Sequence, residues 1–142
     1  MKTLFVACDH AGLELKLHLI GKFPLLPWKD LGTFTPESVD YPDYAGHLAT
    51  AMKDRLSDSR GVLICGSGQG MAIKANRYDY LRAALCWSEE VAVATREHND
   101  ANVLCMGARF VPPAVAERIL DAFLKTPFEG GRHIRRVEKL SK

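Results

Sequence analysis

The chain has 142 residues, 47% of them apolar, and a formal net charge of +2 from 19 Lys and Arg against 17 Asp and Glu. That length suits one domain over residues 1–142 with an unstapled core, and the near-neutral balance gives no reason to expect a nucleic-acid or membrane partner. No apolar run approaches the roughly 20 residues needed to cross a bilayer, and the first residues read as a strand rather than a signal sequence, so a cytoplasmic location is expected.

Thr3 to Cys8 reads as a first strand. A helix follows from about Gly12 to Phe23, with Leu13, Leu17 and Ile20 on its apolar face and Glu14, Lys16 and Lys22 turned outward. Pro24 and Pro27 close it, and a short second strand runs from Trp28 to Leu31. The loop over 32–40 is long for a strand-to-helix connection and is expected to shape a site. Pro42 or Asp43 opens a helix to about Ser57, and a turn through Gly61 leads to the unbroken apolar run Val62 to Ile64, the pattern of a strand covered on both faces. A helix over 69–76 precedes a fourth strand, Arg82 to Cys86. Ser88 caps the next helix, whose Glu89 and Glu90 suit its N-terminus and whose Arg96 and His98 suit its C-terminus. Asn102 to Met106 forms the fifth strand, Pro112 and Pro113 open a helix to about Lys125, and the tail from Gly130 to Leu140 reads as helical. Five strands alternating with helices predict an α/β fold: a doubly wound parallel sheet with helices on both faces, a C-terminal helix, and a ligand crevice outside the carboxyl ends of the strands.

The third strand ends in Cys65-Gly66-Ser67-Gly68-Gln69-Gly70, which joins a thiol to a turn whose missing side chains let an anion approach backbone N–H groups. Such a setting favours the thiolate of Cys65. The ordinary reading is a tight connection whose glycines only allow unusual φ angles. Met71 and Ala72 break both the dinucleotide fingerprint and the Walker loop. Cys8, Cys65, Cys86 and Cys105 are widely spaced, without a Cys-x-x-Cys pair, so neither a disulfide framework nor a structural metal is indicated; Cys86 and Cys105 suit small buried positions.

Asp9 and His10 follow the first strand as Cys65 follows the third, which places an acid, an imidazole and a thiol along one rim. Alone, Asp9 would be a plain N-cap and His10 a surface histidine. His98 and Asn99 end a helix that returns to the opposite rim; any part they play in chemistry at the crevice would come from a neighbouring chain, which predicts a homodimer with shared sites. Arg132 and Arg136, spaced i, i+4, can hold a phosphate between two guanidinium forks or form a solvated basic face.

Asp9-His10, Asp40-Tyr41-Pro42, the loop from Cys65 to Gly70, Ala75-Asn76, His98-Asn99-Asp100, and Gly130-Gly131-Arg132-His133 with Arg136 together resemble the ribose-5-phosphate isomerase B family, within a wider group that includes galactose-6-phosphate isomerase subunits. The resemblance spans almost the whole chain. It implies a Rossmann-like fold, a dimer that can pair into a tetramer, and interconversion of an aldose phosphate and its ketose phosphate without metal or cofactor. By resemblance, Cys65 is the base that moves a proton between C1 and C2, Gly66, Ser67, Gly68, Gln69 and Gly70 form the loop that holds the enediolate, and His98 opens the sugar ring. Asp9, His10 and Tyr41 then contact the sugar, Asn99 and Arg109 come from the partner chain, and Arg132 and Arg136 bind phosphate. Many family members with the cysteine carry threonine where this chain has Ser67, and another branch pairs serine there with a glutamate at the position of Met71. Met71 cannot accept a proton, so Cys65 is left as the loop's base, with the Ser67 hydroxyl available to relay protons.

The physical case is that a proton beside a carbonyl is removable only if the enediolate is stabilised, and losing one fixed donor typically costs on the order of 3 kcal/mol of barrier. The substrate expected is ribose 5-phosphate, with allose 6-phosphate or galactose 6-phosphate as the six-carbon alternative. A Cys-His hydrolase would instead use Cys65 as a nucleophile, and a non-catalytic phosphate sensor would keep the glycines and arginines without needing the thiol.

Overall fold

The computed structural model describes residues 1–141. In chain order it contains β1 (Thr3–Cys8), a 3-10 turn (His10–Gly12), α1 (Leu13–Lys22), β2 (Trp28–Asp30), α2 (Tyr41–Met52), β3 (Ser59–Cys65), α3 (Gln69–Ala75), β4 (Ala83–Leu85), α4 (Glu89–Asn99), β5 (Val103–Gly107), α5 (Pro113–Lys125) and α6 (His133–Lys139). The five strands form one parallel sheet in the order β2-β1-β3-β5-β4. The chain steps outward from β1 to β2 and then back across to β3, so the strand order reverses between β1 and β3. In open α/β sheets that reversal opens a crevice at the carboxyl ends.

Alternation along the central strands feeds two cores, as expected where both faces of a sheet are covered. Leu4, Val6, Val62, Ile64, Leu104 and Met106 pack on one face with side chains of α1, α4 and α5. Phe5, Ala7, Leu63, Cys65, Val103 and Cys105 pack on the other with α2 and α3. The Ser88 hydroxyl accepts from the Val91 amide at the start of α4, as its position predicts. At the outer edge of the sheet the Asn76 side-chain amide both donates to the Ala83 carbonyl and accepts from the Ala83 N–H, each at 2.9 Å.

The first helix corrects the sequence reading. Lys16 is wholly buried while Leu17 is 55% exposed, the reverse of the expected faces. The buried ammonium is tolerated because it meets Asp30 Oδ1 at 2.7 Å on the neighbouring β2. α2 also ends at Met52, before the expected Ser57, and Lys53 to Asp58 form turns in which Ser59 Oγ donates to the Arg55 carbonyl.

Candidate active site

Cys65 is the last residue of β3 and pairs in register with Gly107 at the end of β5. It is 5% exposed, and its Sγ accepts from the Gly68 amide at 3.2 Å. That bond requires the turn to reverse sharply, and Gly68 does so at φ 77°, where an L side chain would be strained and would also run into the Met106 and Gly107 backbone. The amides of Ser67, Gly70 and Met71 find no acceptor among the described residues and remain available to a ligand. Ser67 Oγ accepts weakly from Gln69 N at 3.4 Å. Met71 itself is fully buried in the α2/α3 core, so it serves packing.

Three further groups gather at this carboxyl rim. Asp9 follows β1, its N–H donating to the Ile64 carbonyl, and its carboxylate accepts from the Gly12 amide at 3.1 Å. The ordinary cap reading therefore holds for Asp9, and its remaining acceptor capacity stays beside β3. His10 Nδ1 accepts from the Val39 amide at 3.2 Å, which leaves the ring proton on Nε2. The Tyr41 ring lies directly over the α-carbon of Gly70, where any Cβ would overlap it.

Arg109, expected to act from a second chain, lies just past β5 and close to Gly66 of its own chain. Its N–H donates to the Gly66 carbonyl at 3.0 Å, and its guanidinium packs against the Gly66 α-carbon, where a Cβ would stand 3.2 Å from Cζ. No carboxylate pairs with it among the described residues. The guanidinium thus stands beside the glycine loop of its own chain. Burial pushes the thiol of Cys8 up to about 11, that of Cys86 up to about 12 and that of Cys105 well above the usual range.

A family model described as Ribose/Galactose Isomerase matches residues 4–140. The chain belongs to that family. Ribose-5-phosphate isomerase B of Escherichia coli (strain K12) is 40% identical over 143 residues, covering 99% of this chain and 95% of that protein. The crystal structure of a ribose 5-phosphate isomerase from Thermotoga maritima matches with a TM-score of 0.94 at 42% identity, over 99% of this chain and 97% of that one. Ribose-5-phosphate isomerase B from Mycoplasma genitalium, solved with bound ribulose-5-phosphate, matches at 0.93 and 41% identity, over 98% and 93%.

In this member of the ribose/galactose isomerase family the remaining candidates lie elsewhere. α4 ends in His98 and Asn99, just before Val103, which pairs with Gly61 rather than with Cys65. Four strand residues, about 13 Å at the usual rise, separate that amino rim from Cys65. α6 packs on α4 there, with Arg132 and Arg136 both exposed. His133, given no role by sequence reasoning, is buried and stacks on His98 with ring centroids 4.7 Å apart and planes 19° from parallel. Only tertiary contact reveals this pairing. Glu129 lies 3.6 Å from His133 Nε2. Ligand atoms of His98, Glu129 and His133 fall within 4.8 Å of one another, but nearly parallel rings send their in-plane lone pairs side by side instead of toward one point. The arrangement is a stacked pair of rings. A cavity of about 710 Å³ runs between α2 and α3 past Val39, Asp43, His47, Lys74 and Tyr78, and Cys65 does not line it. No helix among the described residues is long and apolar enough to cross a membrane.

Proposed function

We propose that this chain interconverts ribose 5-phosphate and ribulose 5-phosphate through an enediolate, with Cys65 as the base. The observation that carries the reading is the sulfur at the β1/β3 crevice, held by one glycine-loop amide and flanked by others without acceptors. Family membership, and a relative solved with bound ribulose-5-phosphate, support the substrate class.

The chemistry follows from these groups. The Cys65 thiolate takes the proton from C2 of the open-chain aldose, and the electron pair moves through C1 to O1. Loop amides and the Arg109 guanidinium stabilise the resulting enediolate, for which fixed donors are far more effective than water. Sulfur then returns the proton to C1 while the proton on O2 passes to O1 through the Ser67 hydroxyl, leaving a carbonyl at C2. Atoms and charge balance with no co-reactant. Asp9, His10 Nε2–H and Tyr41 hold the sugar hydroxyls. Arg132 and Arg136, on the amino rim beside His98, bind the phosphate of a substrate seated at the other copy's Cys65, which anchors it so that C2 lies over the sulfur. No metal or cofactor enters this route.

His98 and Asn99 stand on the wrong rim to reach Cys65 of their own chain, which supports a homodimer in which each copy completes the other's site; His98 then opens the sugar ring. Such dimers can pair into tetramers. Residues 1–142 act as one sugar-phosphate isomerase domain in the cytoplasm.

The test is a coupled assay on ribose 5-phosphate and allose 6-phosphate, without added metal, for wild type and Cys65→Ala. Turnover of the five-carbon substrate by wild type, lost in the variant while the sugar phosphate still binds, is the expected result. Undiminished turnover by the variant refutes the base assignment.

A further inference from the structure

We infer that Lys16 is a positioning residue of the isomerase site, holding the 31–40 loop so that it aims the His10 ring. The inference rests on the reading of His10 as a sugar contact. Lys16 is among the largest of the fully buried side chains. Its ammonium donates to Asp30 Oδ1 at 2.7 Å and to the Thr33 carbonyl, and its remaining side faces the Phe34 ring, 4.9 Å from the centroid. Three donors thus meet two oxygens and an aromatic face.

Those contacts converge on the first residues of the loop. Asp30 Oδ1 also accepts from the Gly32 amide at 3.0 Å. Gly32 and Thr33 are in turn zipped to the end of β1: Cys8 N donates to the Gly32 carbonyl at 2.7 Å and Thr33 N to the Cys8 carbonyl at 2.8 Å. Cys8 is the residue before Asp9. At its other end the loop returns to the same rim, where the Val39 amide donates to His10 Nδ1 and selects the tautomer with the proton on Nε2. From Phe34 to Ser38 the loop is exposed, so its path depends on how its two ends are held.

A buried ammonium is a poor device for stability, since an apolar side chain of similar volume often does as well or better. A methionine at this position would fill the space, leaving the Thr33 carbonyl without the ammonium and Asp30 with only the Gly32 amide. What the charge adds is a single anchored course for the loop, and through Val39 a single orientation of an imidazole that the mechanism needs as an Nε2–H donor.

The experiment uses Lys16→Met in the full-length protein, read by ¹⁵N NMR of the ligand-free histidines, with the His10 signal assigned by its loss in His10→Gln, and by steady-state kinetics on ribose 5-phosphate. Wild type should show His10 as the Nε2–H tautomer. The variant should show exchange between tautomers, with KM raised about tenfold or more and kcat changed much less. A lower melting temperature with the His10 signal and KM unchanged would assign Lys16 to stability and overturn the inference. If Lys16→Met does not fold, Asp30→Asn, on the edge strand, must give the same shifts in smaller measure, and its failure to do so also overturns it. The NMR arm needs no turnover, so it stands apart from the fate of the Cys65 assignment.

Discussion

The two rims of the sheet are built by different means. At the carboxyl rim the candidate groups are held by main chain: the Gly68 amide on Cys65, the Val39 amide on His10, and the Arg109 backbone on Gly66. At the amino rim His98, Asn99, Arg132 and Arg136 are exposed side chains on helix ends, steadied mainly by the buried His133 ring. The first is fixed by backbone hydrogen bonds, which under the proposed function leaves little to order when substrate arrives. The second is presented outward, where the proposed homodimer would set it against another copy.

The sharpest way to break this contrast is Cys65→Ala, which should lower kcat on the order of 10³-fold in the coupled assay while substrate still protects the fold against heat. Next in size is complementation. Cys65→Ala and His98→Ala homodimers should each be nearly inactive, yet equal mixing after subunit exchange should restore about a quarter of wild-type activity, because half the dimers then carry one intact site. Absence of any recovery, with exchange verified by mass, would mean that the rims do not serve one another. Gly70→Ala probes the carboxyl rim alone. Its methyl displaces the Tyr41 ring, so KM should rise about tenfold with the melting temperature lowered by only a few degrees.

The smallest effect concerns the thiols. With Cys8 pushed up to about 11 and Cys86 up to about 12 from an ordinary 9.0, both states hold their protons below about pH 9. Above it the unfolded chain ionises first, so stability is complete below that point and falls as pH rises toward 11 and 12. Thermal melts from pH 8 to pH 10.5 should be flat and then decline by a few degrees. Iodoacetamide near pH 8 should label Cys65 alone, read by peptide mass; labelling of Cys105 at an equal rate would remove the distinction between site and core sulfur.

Much of the carboxyl rim was legible in sequence because its signals are local: an unbroken apolar strand, then a thiol, then glycines at alternate positions. The helix caps were legible for the same reason. What escaped depends on contacts between distant elements. Lys16 looked solvent-facing because its partner Asp30 comes from another strand, and the helical period alone cannot say which stripe meets that strand. Parallel pairing followed from the alternation of strands and helices, whereas the insertion of β5 between β3 and β4 did not. His133 sat inside a quoted motif, yet its stack on His98 joins two helices far apart in the chain. Arg109 lies just past β5, and only the observed register shows that this position overhangs Gly66.

Both outermost strands, β2 and β4, are three residues long, and the Asn76 carboxamide stands in for a missing neighbour on Ala83. Little main-chain ladder is left for a second molecule to extend, a protection against runaway polymerisation through the sheet. In the proposed homodimer, association would then fall to helices and loops, where contacts can close on themselves in small symmetric particles instead of propagating as fibres.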